Sequence, residues 1–256
     1  MSAWSWDDLD GVARLWATLA GVGLVAAPAG LRWRFARELA GVNLIGAGLL
    51  QSDLERATLS RARLDGADLR KARLAGARLD GAVLARANLS WVEARDVDLR
   101  GATLIGADLT EASLAGARAD DADFEGALAN RAELSGATLT RARLVEAVFE
   151  SAELGGADLR GAYLTGAQLP LANLQGADLR DAVLKRCDLR GADLAGARLD
   201  GALLDDACLG GAAVEDAGAL LGSRLSTRSP AAPPTPAQLA TARWRSLVVD
   251  GVRRTR

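Results

Sequence analysis

From Leu44 to Leu209 a large apolar residue recurs at every fifth position. Of these 34 positions 29 are Leu, and the exceptions are Ala94, Ala119, Phe124, Ala129 and Phe149. Two residues before each lies a second, smaller column. It is Ala in 29 of 34 cases, broken by Val42, Ser52, Val92, Val97 and Cys187. The register never slips. Five is not a helical period, because on an α-helix successive Leu residues would rotate by about 140° and leave no apolar stripe. One continuous strand fails as well, since a step of five alternates faces. The pattern works if each repeat is a short extended segment followed by a bend. The small residue and the Leu, two apart, then share a side. The other three residues carry the corner and face water. Gly stands two residues after the large residue in 17 of the 34 repeats, a natural place for tight backbone geometry. Units of this kind cannot bury their apolar side alone, so they must coil and stack into an all-β solenoid.

The consensus Ala-(Asp/Asn/Arg)-Leu-x-Gly, as in Ala67-Asp68-Leu69-Arg70, Ala107-Asp108-Leu109 and Ala177-Asp178-Leu179-Arg180-Asp181, resembles the pentapeptide-repeat family. The resemblance covers about two thirds of the chain. It implies a right-handed quadrilateral β-helix with four repeats per turn and the Leu, Phe and small residues inside. Leu64, Leu104, Phe124, Phe149 and Leu184 are then core. The coiled domain is expected over residues 39–216, as about eight to nine coils and a rod on the order of 40 Å long at ~4.8 Å per coil. Ala119, Phe124 and Ala129 occupy consecutive repeats, so a bulky ring between two small partners reads as volume compensation. Around Trp91–Val97 the small column holds Val and the large column holds Ala94. One distorted turn is expected there, with Trp91 exposed as a candidate partner contact.

With four repeats per coil, residues twenty apart stack, and the outer faces can be read. The face holding Leu44 places Val83, Tyr163, Val183 and Leu203 before its large residues, and Ile45, Ile105 and Val145 after them. This apolar ladder is densest toward Leu203. It is either the ordinary exposed apolar surface of β-structure or a surface for a partner or for self-association. The face holding Leu54 places Asp53, Glu93, Glu133, Glu153 and Asp193 in one acidic column. On the face holding Leu59, Arg78, Asp98, Arg118 and Asp158 alternate in sign, which suits mutual neutralisation.

A solenoid leaves raw edges, so its ends need covers. Residues 1–38 do not follow the repeat. Ser5 with Asp8 resembles a capping box, which predicts a helix. Seventeen residues from Leu15 to Leu31 carry no charge, and Arg32, Arg34 and Arg37 follow with Trp16 and Trp33 at the edges. Two readings stand side by side: an amphiphilic cap on the first coil, or a membrane anchor through residues 12–31 with the rod on the cytoplasmic side. The acidic leading region argues against a secretory signal. Past Val214 the register dissolves. Residues 217–236 hold Pro230, Pro233, Pro234 and Pro236 and read as a linker. Residues 237–256 read as an amphipathic basic helix through Leu239, Trp244, Leu247, Val248 and Val252.

Composition narrows the chemistry. The chain of 256 residues has a net charge of −2 and no histidine. It therefore offers no basic footprint for nucleic acid and no imidazole base or ligand. Two cysteines make no disulfide framework in a chain of this length. Gly21-x-Gly23 lacks a preceding strand and a third Gly, so it is no dinucleotide fingerprint. Asp120, Asp121, Asp123 and Glu125 look like a metal cluster, but the repeat turns them to different sides. No catalytic residue, metal or cofactor is expected. The first functional reading is a non-enzymatic scaffold that binds a protein partner, in the cytoplasm or on the cytoplasmic face of a membrane. The second comes from the resemblance: some members of the family mimic duplex DNA and protect type II topoisomerases from inhibitors. The resemblance also implies that two copies can pair through their C-terminal ends.

Overall fold

The computed structural model describes residues 39–213 and five short strands, β1 at Leu203–Leu204, β2 at Arg224–Leu225, β3 at Arg228–Ser229, β4 at Leu247–Val249 and β5 at Val252–Arg254. Over 39–213 the chain repeats one five-residue unit without a slip. The residue before each large apolar position makes a parallel bridge to the residue twenty ahead, from Asn43↔Arg63 through to Asp193↔Ala213. A step of twenty is four repeats, so the coil is four-sided. We number the faces 1 to 4 in chain order, beginning with those that hold Leu44, Leu49, Leu54 and Leu59.

Four backbone hydrogen bonds per repeat build this geometry, one of them from the residue before the large position back to the coil below, as from the Arg63 N–H to the Val42 carbonyl (2.9 Å). The N–H of Leu44 donates to the carbonyl of Arg63 (2.7 Å), that of Gly46 to Asp65 (2.8 Å), and that of Ala47 back to Leu44 across the turn (3.0 Å). The third residue of every turn has positive φ. Gly fills it in 17 of the repeats from Leu44 onward, with φ of 61–73°, and in the other 17 an L-residue is held at φ of 54–60°. The Gly column of the sequence is therefore a column of left-handed backbone, which costs a residue with a Cβ about 1–2 kcal/mol. Cooperative stacking above and below meets that cost.

Inside, both columns are buried from Leu44 to Ala207, with Val42 and Leu209 at the ends half-buried. Leu64, Leu104, Phe124, Phe149 and Leu184 are all buried, together with Ala119 and Ala129 on either side of Phe124. Val92, Ala94 and Val97 are buried too, and the bridges Arg73↔Glu93↔Ser113 run through them in register. The expected distortion is thus confined to one longer turn bond, Val97 N–H to Ala94 carbonyl at 3.3 Å. Large and small have exchanged columns there at nearly constant volume. Ser52 is the one hydroxyl in the small column; its Oγ is buried with no hydrogen-bond partner.

At the C-terminal side the ladder extends once more. β1 pairs with β2 in parallel, Leu203↔Arg224 and Leu204↔Leu225, an offset of 21 rather than 20. Two of the strands, β2 and β3, fall within the stretch expected as a linker. Within the expected helix over 237–256, the described residues 247–249 and 252–254 are strand instead. β4 pairs with β3 in parallel and with β5 in antiparallel fashion. Val248, Val249 and Val252 are β-branched and prefer strands, and Asp250-Gly251 between β4 and β5 is a favoured pair for a two-residue hairpin. Residues 1–38, with the cap and the anchor readings, lie outside the described residues, as does the rest of the linker and tail.

Candidate interaction surfaces

The outer surface is built around one orphan donor per repeat. The N–H of the residue after each large apolar position makes no backbone hydrogen bond in any described coil. An Asp or Asn placed just before the large residue supplies the acceptor. Its Oδ1 takes that N–H in twelve repeats, at Asn43, Asp53, Asp68, Asn88, Asp98, Asp108, Asp123, Asp158, Asn173, Asp178, Asp188 and Asp193. The acidic residue of the consensus is therefore a backbone cap before it is a surface charge.

Five of these caps belong to an Asp-Leu-Arg triplet, and in each the Arg closes back on the Asp through two nitrogens. In Asp158-Leu159-Arg160, Nε lies 2.8 Å from Oδ1 and an Nη 2.6 Å from Oδ2. The same fork recurs at Asp68–Arg70, Asp98–Arg100, Asp178–Arg180 and Asp188–Arg190. The Arg side-chain hydrogen bond holds each Asp carboxyl below its ordinary value, against a smaller opposing effect of burial. On face 4 the fork is the tighter pairing, and the expected neutralisation between coils stands beside it at Asp98–Arg118 but not at Arg78. Asp98 lies 2.5 Å from Arg100 of its own repeat and 3.8 Å from Arg118 in the next coil, and Arg78 approaches Asp80 rather than Asp98.

Linkage gives these pairs a pH signature. A carboxylate whose folded pKa lies below its unfolded value is stabilising in full above the unfolded value, and that stabilisation is lost as pH falls through the folded one. The melting temperature is therefore expected to hold from neutral pH down to about pH 4 and to fall below it. A melting temperature that stays flat to about pH 2 would contradict this.

The acidic column of face 3 is present but broken. Along it the order is Asp53, Arg73, Glu93, Ser113, Glu133, Glu153, Asn173 and Asp193, so only Glu133 and Glu153 stack acid on acid. Arg73 reaches Asp53 at 3.3 Å and Glu93 at 3.7 Å, and Arg95 reaches Glu133 at 3.0 Å. Asn173 donates to Glu153 at 2.7 Å, and Gln175 donates to Asp193 at 2.5 Å, which lowers the pKa of Asp193.

On face 1 the structure brings part of the expected ladder together. Tyr163, Val183 and Leu203 stack in consecutive coils. Tyr163 is exposed, and Val183 and Leu203 are half-buried. Val145 lies on the turn one coil below Tyr163. Ile105 is two coils further from the ladder, with Glu125 between the two. Trp91 belongs to a different corner, between faces 2 and 3. It is 47% exposed, its indole N–H donates to Glu111 at 3.0 Å, and Lys71 sits 5.7 Å from its ring centre. Only Trp91 was singled out from the sequence on face 2, yet Leu50, Leu128 and Leu171 on it are exposed as well. A count of apolar residues at outward positions, column by column, would have found them.

Among the described residues no three His, Cys, Asp or Glu side chains gather as metal ligands. Asp120 accepts from Thr138 and Thr140, Asp121 from Arg141, and Glu125 from Arg143, each on its own part of the coil. Burial pushes the Cys187 thiol up to about 12, and its Sγ lies 2.6 Å from the Leu164 carbonyl. That is a packed thiol rather than a nucleophile.

The profile of the pentapeptide repeats matches in eight copies that together span residues 38–217. Among solved structures, the chain is similar to HetL, a pentapeptide repeat protein involved in heterocyst differentiation regulation from Nostoc sp. strain PCC 7120. Identity is 32%, with 73% of this chain and 93% of that chain covered and a TM-score of 0.35. It is also similar to the pentapeptide repeat protein Rfr23 from Cyanothece 51142, at 31% identity over 40% of this chain and 64% of that one, with a TM-score of 0.29. QnrB1, a plasmid-mediated fluoroquinolone resistance protein, aligns at 20% identity over 72% of this chain and 94% of that one, with a TM-score of 0.45. No curated protein matches. With an unbroken five-residue period, a twenty-residue coil and a family profile matched over 38–217, the chain belongs to the pentapeptide-repeat family, whose fold is the right-handed β-helix.

Proposed function

We propose that this protein is a non-enzymatic display scaffold, and that the stacked Tyr163–Val183–Leu203 ladder of face 1 is the surface on which it binds a protein partner. The observation that carries this is the in-register stack itself, which sets three apolar side chains in a line at the inter-strand spacing. Its backbone is tied to the coils on both sides, so little is lost on ordering when a partner docks. An aromatic with a polar tip beside aliphatic neighbours is a favoured composition for a binding patch. Proximity labelling in the cells that make the protein tests it. Val183→Lys should remove a partner that the wild type labels, while a substitution at Asp193 on face 3 should not. Labelling unaffected by Val183→Lys would overturn the ladder as the binding surface.

A second reading, a DNA mimic bound by a type II topoisomerase, is favoured by one feature. Face 3 carries Asp53, Glu55, Glu93, Asp96, Glu133, Glu153 and Asp193 against Arg56, Arg73 and Arg95, seven acids to three bases, or −4. The interruptions at Arg73, Ser113 and Asn173 and the Asp–Arg forks on faces 2 and 4 make the whole surface a mosaic. For that reason the scaffold reading stands first.

A further inference from the structure

Face 4 differs from the other three. Its outward positions from Thr58 to Gly201 hold no apolar side chain and carry eight acids and eight bases. In each of its six charged coils, the residues just before and just after the large position have opposite signs. Three of these coils run acid first, at Asp98, Asp158 and Asp178, and close as forks. The other three run base first, at Arg78, Arg118 and Arg198, and do not close. Arg78 stands 3.6 Å from Asp80. Among the described residues, Arg118 and Arg198 reach carboxylates only in the coil below, Asp98 at 3.8 Å and Asp178 at 3.9 Å. Both of those carboxylates are already held at 2.5 Å by Arg100 and Arg180. Arg118 and Arg198 are more than half exposed, so each keeps guanidinium donors for a further acceptor.

The arrangement has a symmetry consequence. Consider a two-fold axis parallel to the rod and laid over the large column of face 4. It sets the residue before that column in one copy opposite the residue after it in the other, coil by coil. Opposite signs within a coil then become opposite signs across the contact, which is the self-complementarity an isologous contact needs. Arg118 meets Asp120 of the second copy while Asp120 meets its Arg118, and the other five charged coils answer in the same way. The two uncharged coils set hydroxyl against hydroxyl, Thr58 with Ser60 and Thr138 with Thr140. No other face does this. The same operation sets Asp123 against Glu125 on face 1 and Asp53 against Glu55 on face 3, and face 2 has a charged pair in only two coils. The corner leading into face 4 is Gly in five consecutive coils, from Gly116 to Gly196. Asp121, Arg141 and Asp181 on the far corner therefore meet bare backbone of the second copy. The one like-charged approach is Arg61 to Arg56 of the second copy, at the corner of the first coil.

We propose that face 4 is a self-complementary contact through which two copies of this chain pack side by side and parallel about that axis. Eight coils at ~4.8 Å and three residue steps at ~3.3 Å give a footprint of about 38 Å by 10 Å. That is about 400 Å² per copy, which places the contact among weak, transient ones. A single exposed ion pair adds little, so the contact depends on a row of pairs acting together. No apolar side chain contributes, and ionic strength therefore controls it. In such a pair the two face 1 surfaces point in opposite directions. The contact is separate from the apolar ladder there, and either can fail alone.

Sedimentation equilibrium of the full chain at roughly 10 µM to 1 mM, in ~20 mM and in ~500 mM salt, tests it. The wild type is expected to self-associate at the lower salt and to be monomeric at the higher. Arg118→Asp with Arg198→Asp leaves acids on both sides of two coils, and Asp120→Arg with Asp200→Arg leaves bases there. Each double variant should self-associate at least about tenfold more weakly than the wild type. Mixed in equal amounts, the two should pair with each other. Melting temperatures check that both fold, and the single changes Arg198→Asp and Asp200→Arg, at exposed positions, repeat the comparison if Asp120→Arg unfolds its coil. A wild type that stays monomeric at low salt, or association that persists at high salt, would overturn the proposal. So would variants that associate alone as the wild type does, or a mixture that pairs no better than its components.

Discussion

Replacing Phe124 with Ala is expected to cost about 4 kcal/mol of stability. The ring is 1% exposed and stands between Leu104 and Leu144 in the coils below and above. Its neighbours within the coil, Ala119 and Ala129, are the two smallest members of the large column in that region. Neither can extend into the space the ring leaves, so the cavity stays open and its full cost is felt. Phe149 lies in the coil next to Ala129, and its ring is fixed by its own hydrogen-bonded repeat. Phe124→Leu keeps most of the volume and should cost only about 1–1.5 kcal/mol. Urea denaturation monitored by circular dichroism measures both. If Phe124→Ala cost no more than Phe124→Leu, the compensation between Phe124 and its alanine neighbours would be refuted.

Gly136→Pro is expected to cost more than about 3 kcal/mol, enough to break the coil in which it lies. Gly136 has φ +66°, which the proline ring forbids, and its N–H donates to the Gly155 carbonyl at 2.9 Å, a bond proline cannot make. Gly136→Ala isolates the backbone part of this effect. Beyond its chain neighbours no heavy atom lies within 4 Å of the added methyl, so the left-handed φ is the main cost, at about 1 kcal/mol. Seventeen other repeats already carry a side chain at this position, and the alanine variant should therefore fold. Thermal melts of the pair give the comparison, and equal losses in the two variants would show that the inter-coil bond contributes little.

The coil was legible in the sequence because one signal repeats 34 times and only one geometry buries two columns two residues apart with a period of five. The core followed from it residue by residue, down to Phe124 between its alanines. The surface was read less completely, for local reasons. Stacking put Tyr163 beside Val183, as spacing alone predicts. Spacing does not tell whether Asp98 turns to Arg118 above it or to Arg100 beside it. The fork geometry of the guanidinium decides that, and the five Asp-Leu-Arg triplets were its visible trace. Ser52 shows another gap, since a hydroxyl in the small column looks harmless until its partners are sought. The left-handed backbone at Trp91 and Leu171 is hidden as well, because a Gly column half filled by other residues does not reveal that all of them share it. At the C-terminal side Leu247, Val248 and Val252 were read at helical spacing, whereas the β-branched side chains and Asp250-Gly251 agree with the antiparallel pairing of β4 and β5.

The charge pattern ranks the scaffold above the DNA mimic, and a supercoiling assay with purified DNA gyrase separates the two most directly. Binding through the apolar ladder on a mosaic surface predicts that the full chain, added in excess over gyrase, leaves the supercoiling rate and its sensitivity to fluoroquinolones unchanged. Inhibition of supercoiling, or protection from the drug, that disappears when Glu133 and Glu153 are replaced by Lys would contradict it and would establish face 3 as a DNA-like surface.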